Sequence, residues 1–265
     1  MMFHFTKMQG LGNDYLYVFG EVPEKIVALC QKLSDRHFGA GSDGMICISP
    51  SAVADFKMRI FNADGSEAKM CGNGIRCVGK YVYDKGYTDQ THLTVETLSG
   101  VKTLDLRVLG GKVKEVTVDM GIVQVEKEMR LSINSADLVC TPVSVGNPHA
   151  VLFVENAESA PVETLGRQIE HHPAFPDGVN VEFVQVLSGT ELRMRVWERG
   201  SGVTMACGTG ACASVAAAVK KGYCPSDTPI SVRLDGGVLK ITVAQSRNVT
   251  MTGPAETVYE GDAAL

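Results

Sequence analysis

Met70-Cys71-Gly72-Asn73-Gly74 and Ala206-Cys207-Gly208-Thr209-Gly210 share one Cys-Gly-x-Gly frame, set 136 residues apart (71 to 207). The same offset lays Arg195 over Arg59, Trp197 over Phe61, and Lys221-Gly222-Tyr223 over Lys85-Gly86-Tyr87. Downstream the offset becomes 137, with Ile230, Val232, Gly237 and Val238 over Leu93, Val95, Gly100 and Val101. Upstream it is 134, with Gly146-Asn147 over Gly12-Asn13. An ordered set with so little drift reads as a duplicated domain with one or two short insertions.

Each cysteine turn opens a helix. The first is expected from near Cys71 to near Gly86, the second from Gly208 to Lys221. Gly74 and Gly79 weaken the first, so packing must hold it. The second is mostly alanine, valine and serine with almost no polar face, the pattern of a buried helix. An earlier helix is expected with Pro23 in its first turn and Ile26, Leu29, Cys30 and Leu33 as its apolar stripe. Strands are expected at 2–8 and 14–19, around Phe56-Met58-Ile60, at 92–98, 101–108 and 113–120, and at 230–234 and 238–244. The fold class is therefore α+β: two pseudo-symmetric domains, each a mostly antiparallel, barrel-like sheet wrapped around a central helix. The expected domains are 1–117 with 253–265, carrying Cys71, and 118–252, carrying Cys207. Gly110-Gly111 and Gly121 interrupt the pattern where the chain crosses from one half to the other.

The chain has 265 residues, enough for two domains of ordinary size, with 45% hydrophobic and 21% charged residues. A net charge of −5 argues against a nucleic-acid partner, which normally requires a basic surplus. No apolar run approaches the ~20 residues of a membrane span, and the N-terminal residues lack a signal-peptide pattern. A cytoplasmic location is expected, with the eight cysteines reduced.

A thiol reacts as its thiolate, and the positive end of a helix dipole favours that form. Unpaired N–H groups at the same place make an anion site, and the glycines after each cysteine leave it open. A carboxylate between two such helix starts would have donors for the charge that develops when its α-carbon loses a proton. One cysteine would take that proton as thiolate. The other would return one from the opposite face as thiol, and the pair would titrate as a unit.

Other readings account for less of the pattern. Cys30, Cys47, Cys140 and Cys224 read as structural thiols, and Cys77 and Cys212 as packing residues inside the helices. The spacings 71 to 77 and 207 to 212 are too wide for a zinc hook. Cys-Gly-Asn-Gly-Ile-Arg is not a phosphate loop. A cysteine hydrolase could use His149 but would leave the second cysteine turn without a role. A pyridoxal enzyme needs a Schiff-base lysine, and the repeat gives no lysine that place. A redox sensor with a reversible disulfide remains the rival from outside enzymology.

Further motifs narrow the reading. They are Lys7-Met8-Gln9-Gly10-Leu11-Gly12-Asn13-Asp14, Asn62-Ala63-Asp64-Gly65-Ser66, Gly146-Asn147-Pro148-His149, Val179-Asn180 and Trp197-Glu198-Arg199-Gly200. With the two cysteine turns, they make the chain resemble the diaminopimelate epimerases over nearly its full length. The related proline racemases differ, with a histidine after the first Cys-Gly and Ser-Pro before the second cysteine. The resemblance implies conversion of LL-2,6-diaminopimelate to the meso form in lysine and peptidoglycan precursor biosynthesis, without pyridoxal, metal or other cofactor. It implies Cys71 and Cys207 as base and acid, with His149 and Glu198 supporting catalysis near the reacting amine. Gly72-Asn73 and Gly208-Thr209 would hold the reacting carboxylate. Asn13, Asn62, Asn147, Asn180, Glu198 and Arg199 would contact substrate. A homodimer with Tyr259 at its interface is implied as well.

The chemistry of those residues suits a substrate with an ammonium and a carboxylate at each end. Asparagine offers both kinds of hydrogen bond and arginine grips a carboxylate with two. Two positions depart from the family's common pattern. Gly44 stands where many members have glutamine, and it is given no substrate contact. Val203 stands where glutamate is common, in the loop leading to Cys207. A racemase for another amino acid is the reading that a substrate panel would separate.

Overall fold

The structure is a computed structural model that describes residues 2–133 and 136–264. Its packing divides the chain into two compact units, Met1–Val118 with Gly253–Leu265, and Asp119–Thr252.

In the first unit the strands Met2–Gly10 and Asn13–Phe19 form an antiparallel hairpin, and Glu256–Ala264 pairs with the other edge of Met2–Gly10. Helix α1 (Ile26–Ser34) then carries the chain to Gly44–Pro50, which lies parallel to Asn13–Phe19. Phe56–Asn62 returns antiparallel and leads through the short strand Glu67–Ala68 into α2 (Gly72–Asp84). After α2, His92–Thr97 runs parallel to Phe56–Asn62 and continues in a meander with Gly100–Leu109 and Lys112–Ile122.

The second unit repeats this order. Ala136–Ser144 and Pro148–Phe153 form the hairpin, and α3 (Val162–Glu170) crosses to Asn180–Ser188. Glu191–Glu198 returns and leads through Gly202–Val203 into α4 (Gly208–Lys220). Ile230–Leu234, Gly237–Val243 and Asn248–Pro254 complete the meander. Even the register repeats: Phe56 faces Val95 in one unit and Leu192 faces Val232 in the other.

The sheets are mostly antiparallel, as the sequence suggests, and each unit also has two parallel pairings, each bridged by a helix. The helix α3, which the sequence reading had not marked, makes one of these crossovers. Its Gly166 is a close approach, since a Cβ there would lie 2.5 Å from Trp197 Cβ.

Helices α1 and α3 cover the outer faces of their sheets. Leu29, Cys30 and Leu33 of α1 pack with Phe5, Leu16, Met45 and Phe61. Val162 and Ile169 of α3 pack with Leu152, Val181 and Phe183. Helices α2 and α4 are central, buried from Gly72 to Val82 and through most of Gly208 to Ala218. A Cβ on Gly79 would come 2.9 Å from Leu106 Cδ2 and 3.0 Å from Leu104 Cδ2, so this glycine sets how closely the strands approach α2. In α4 alanines do the same at less cost to helicity. Among the described residues no helix is long and apolar enough to cross a membrane.

Candidate active site

Cys71 and Cys207 are the N-cap residues of the two central helices. Each is extended (φ −136° and −113°), and each sulfur accepts the backbone N–H three residues on, from Gly74 at 3.3 Å and from Gly210 at 3.4 Å. Serine, threonine or aspartate usually fills this position. Sulfur is a weak acceptor as a thiol and a stronger one as a thiolate, so ionisation would tighten the cap.

In the first unit the Cys71 thiol donates to Asn13 Oδ1 at 3.3 Å, and Asn13 Nδ2 donates to Asp43 Oδ2 at 2.7 Å. The Asp14 N–H donates to the same Asp43 oxygen at 3.0 Å. The Asp14 carboxylate takes two bonds from Arg36, at 2.7 and 3.2 Å, and lies 2.9 Å from Lys7 Nζ. Burial opposes the charge on Asp14, but the hydrogen bonds and positive charges of Arg36 and Lys7 outweigh it and hold its carboxyl below the usual value. Asn73 is buried, and its Oδ1 accepts from Arg76 Nη1 at 3.0 Å. Arg76, with no exposed surface, also donates to the carbonyls of Gly72 and Pro254. Asn62 donates to Ser66 Oγ at 3.0 Å. Gly44 faces Asn62 across the strand pair at φ +154°, and a Cβ there would lie 2.1 Å from the Phe61 carbonyl oxygen. On this backbone any side chain is excluded at position 44.

In the second unit a polar chain leads away from Cys207. Its sulfur lies 3.6 Å from Thr209 Oγ1, which accepts from Asn147 Nδ2 at 3.2 Å. Asn147 Oδ1 is 3.0 Å from His149 Nε2, and His149 Nδ1 is 2.6 Å from Glu182 Oε1. The side chains of His149 and Glu182 have no exposed surface. Glu198 takes a short hydrogen bond from Thr204 Oγ1 and another from Cys207. Burial pushes the Glu198 carboxyl up, and Glu182 adds to this against the hydrogen bonds of Thr204 and Cys207. Burial also pushes the Cys207 thiol well up, with Glu198 and Glu182 reinforcing it; Thr209 and the Gly210 N–H oppose this without prevailing. The helix start alone thus does not make Cys207 a thiolate.

Asn180 is engaged at both ends, donating to the Pro148 carbonyl at 2.9 Å and accepting from the Arg199 N–H at 3.0 Å. The Arg199 guanidinium donates to the Asp177 carbonyl. Val203 is exposed and pairs with Trp197. Tyr259, 40% exposed, donates to the Ala40 carbonyl at 3.1 Å and meets the Phe5 ring edge-on.

The first unit thus gathers Cys71, Asn13, Gly72 and Asn73 around one helix start, while Asn62 is bonded within its own turn, to Ser66. The second gathers Cys207, Gly208, Thr209, Asn147, His149 and Glu198 around the other, with Asn180 and Arg199 beside them. The sequence reading missed Glu182, Arg36, Asp43 and Arg76. Glu182 had a signal, a lone charge in the apolar run Val179-Asn180-Val181-Glu182-Phe183-Val184; the others had none. The remaining cysteines are core thiols: burial pushes Cys30 and Cys140 up to about 11 and Cys47 up to about 12. Cys77, also buried, stands at about 11. No group of three or more histidine, cysteine or acidic residues suited to a metal occurs among the described residues.

The sequence profile described as diaminopimelate epimerase matches residues 5–126 and 141–258. The chain is 52% identical to diaminopimelate epimerase of Acetivibrio thermocellus, covering 98% of both chains. It is 50% identical to that of Methanococcus maripaludis strain C5, over 97% of this chain and 98% of the relative. A probable proline racemase from Agrobacterium radiobacter K84 has the same fold at 18% identity, with a TM-score of 0.77 over 99% of this chain and 93% of that one. With matches along both halves, the chain belongs to the diaminopimelate epimerase family.

Proposed function

We infer that this protein is an isomerase that inverts one α-carbon of LL-2,6-diaminopimelate to give the meso form, a step toward lysine and peptidoglycan precursors. The observation that carries the mechanism is the duplicated N-cap: two cysteines, each with its sulfur on the N–H of the third helical residue.

The substrate carboxylate sits on the N–H groups of Gly72-Asn73 and Gly208-Thr209, where glycine leaves the backbone open. One thiolate takes the α-proton, so the C–H bond breaks and an S–H bond forms. The electron pair is delocalised into the carboxylate, stabilised by those donors. The second thiol gives its proton to the opposite face. No electron is gained or lost, and the two sulfurs exchange protonation states. No pyridoxal or metal is required by this scheme. The high thiol of Cys207, set by burial and two carboxylates, suits it to hold a proton for delivery. Glu198, hydrogen-bonded to Cys207, is placed to accept from the reacting ammonium. His149 works through Asn147 and Thr209, because its ring has no exposed surface. Asn13, Asn62, Asn147 and Asn180 serve the remaining polar groups of the substrate, with Arg199 for the distal carboxylate.

The duplication is taken to divide the chain into 1–117 with 253–265, carrying Cys71, and 118–252, carrying Cys207. The protein works in the cytoplasm, where thiols stay reduced. It works as a homodimer that uses the exposed Val258 and Tyr259 of the C-terminal strand. In heavy water, the reduced enzyme should place deuterium on the α-carbon as diaminopimelate inverts. Absence of exchange with both the LL and meso isomers would overturn the reading. Cys71→Ala and Cys207→Ala should each abolish inversion, and near-normal turnover in either would rule out an essential pair.

A further inference from the structure

We propose that Glu182 is a positioning residue for this reaction: its carboxylate holds the proton on His149 Nδ1 and so orients the Asn147–Thr209 chain that ends at Cys207. The proposal rests on the epimerase reading above.

The chain is continuous within the second unit. Glu182 Oε1 to His149 Nδ1 is 2.6 Å, His149 Nε2 to Asn147 Oδ1 is 3.0 Å, Asn147 Nδ2 to Thr209 Oγ1 is 3.2 Å, and Thr209 Oγ1 to Cys207 Sγ is 3.6 Å. A carboxylate only accepts, so the Nδ1 proton points at Glu182. Nε2 also faces an acceptor, the Asn147 oxygen, so the chain requires a proton on each ring nitrogen, an imidazolium beside the Glu182 carboxylate; Nε2–H then donates to Asn147 Oδ1, and the Asn147 amide is turned to donate to Thr209. The Thr209 hydroxyl, having accepted, is left to donate toward the Cys207 sulfur. Every donor in the chain then points toward Cys207, and the direction is set at Glu182.

The duplication shows that a carboxylate is not needed here to build the scaffold. An offset of 136 places Glu182 over Ile46, and the register agrees, with Tyr17 facing Ile46 and Val151 facing Glu182. Ile46 is fully buried and apolar at this position. Each residue presses on the matching glycine: a Cβ on Gly74 would lie 2.7 Å from Ile46 Cδ1, and one on Gly210 would lie 2.8 Å from Glu182 Oε1. The histidine is specific to the second unit too, since Tyr15 holds its place in the first at the 134 offset. The two polar substitutions thus occur together and contact each other. Glu182 Oε2 is buried with no hydrogen-bond partner among the described residues. A group kept for packing or stability alone would not be a carboxylate with one oxygen unsatisfied.

The test uses Glu182→Met, which removes both oxygens at similar size, and Glu182→Gln, which keeps one acceptor without the charge. Three readouts are taken: the nitrogen-15 signal of the His149 Nδ1–H in histidine-labelled protein, steady-state kinetics, and a cycle with His149→Asn. The Nδ1–H signal should be lost in Glu182→Met and weakened in Glu182→Gln. In Glu182→Met, kcat should fall at least about tenfold, with KM changing less than about twofold. In the His149→Asn background, Glu182→Met should cost little more. A folded Glu182→Met with wild-type kcat, an unchanged Nδ1–H signal, or additive effects in the cycle would each overturn the proposal. If Glu182→Met fails to fold, Glu182→Gln decides: an unchanged signal and unchanged kcat overturn it. Wild-type exchange of deuterium into diaminopimelate checks the underlying reading separately. Were that to fail, the role in catalysis falls with it, and the imidazole signal still decides whether Glu182 fixes His149.

Discussion

Replacing Asp14 by asparagine isolates the charge network behind Cys71. The Asp14 side chain is 12% exposed, Lys7 is 14% exposed and Arg36 is 54% exposed. The Arg36 pair is therefore screened and contributes at most about 1 kcal/mol. The Lys7 contact joins two largely buried groups, and a charged hydrogen bond of that kind contributes about 1.5–3 kcal/mol. Relief of the burial cost of Asp14 subtracts from the sum, and Lys7 keeps its 2.6 Å bond to the Gly41 carbonyl. Asp14→Asn should thus cost about 2–3 kcal/mol at pH 7. The pH dependence has a definite sign. The folded carboxyl lies below its unfolded value of about 3.9, so its contribution is complete above that value and is lost as pH falls through the folded one. Urea unfolding followed by circular dichroism, on both proteins from pH 7 to pH 3, should show a gap that is constant down to about pH 5 and narrows below about pH 4, by up to about 1.4 kcal/mol per pH unit. Catalysis should suffer less than stability, because the Asp14 N–H that helps place Asp43, and through it Asn13, is backbone. A gap of equal size at pH 3 and pH 7, or no gap, would refute the reasoning.

Three other outcomes follow from particular contacts. Gly44→Ala should destabilise the protein by about 3 kcal/mol or prevent folding, since its Cβ would meet a backbone oxygen at 2.1 Å where φ is +154°; a urea midpoint equal to wild type would contradict the placement of that strand. Glu198→Gln removes a negative charge beside Cys207, so the thiol should ionise more easily and iodoacetamide should label it faster at pH 8; an unchanged rate would show that burial alone holds the thiol up. Tyr259→Ala removes an exposed ring in the proposed dimer surface; sedimentation should shift toward the monomer, and an unaltered dimer would place the interface elsewhere.

The duplication was legible because glycine and cysteine carry position-specific meaning. A Cys-Gly-x-Gly frame repeated at a fixed offset can be read without any packing information, and it located both helix starts to within a residue. The meander strands were legible from alternation. Parallel pairing was not, because a strand buried on both faces, such as Met45-Ile46-Cys47-Ile48, has no alternation to show. Helix α3 had a readable stripe in Val162, Leu165 and Ile169, but Gly166 and the short length obscured it. At the site, residues with a motif were found and residues that act through others were not. Arg36 and Asp43 look like ordinary loop charges until folding brings Asp14 between Arg36 and Lys7. Glu182 is visible as a charge inside an apolar strand, but its partner His149 lies 33 residues away in sequence.

The duplicated scaffold also explains why the two thiols need not behave alike. Both have the same cap geometry, so the helix start contributes similarly to each. What differs is the set of residues around them. Asn62 in the first unit is replaced by Glu198 in the second, Tyr15 by His149, Ile46 by Glu182, and Asn73 by Thr209. Two of these four changes introduce carboxylates, and both act on Cys207. Cys71 instead faces the neutral amide of Asn13. A two-base inversion needs one sulfur with a proton and one without, and two identical sites would have no preference between the two arrangements. The two carboxylates beside Cys207 remove that degeneracy by disfavouring its thiolate. The cost is a buried carboxylate with an unsatisfied oxygen, which His149 partly compensates. The carboxylates that raise Cys207 are thus tied to the histidine chain that donates toward its sulfur. One set of substitutions disfavours the thiolate at rest and supplies donors for it once its proton has gone.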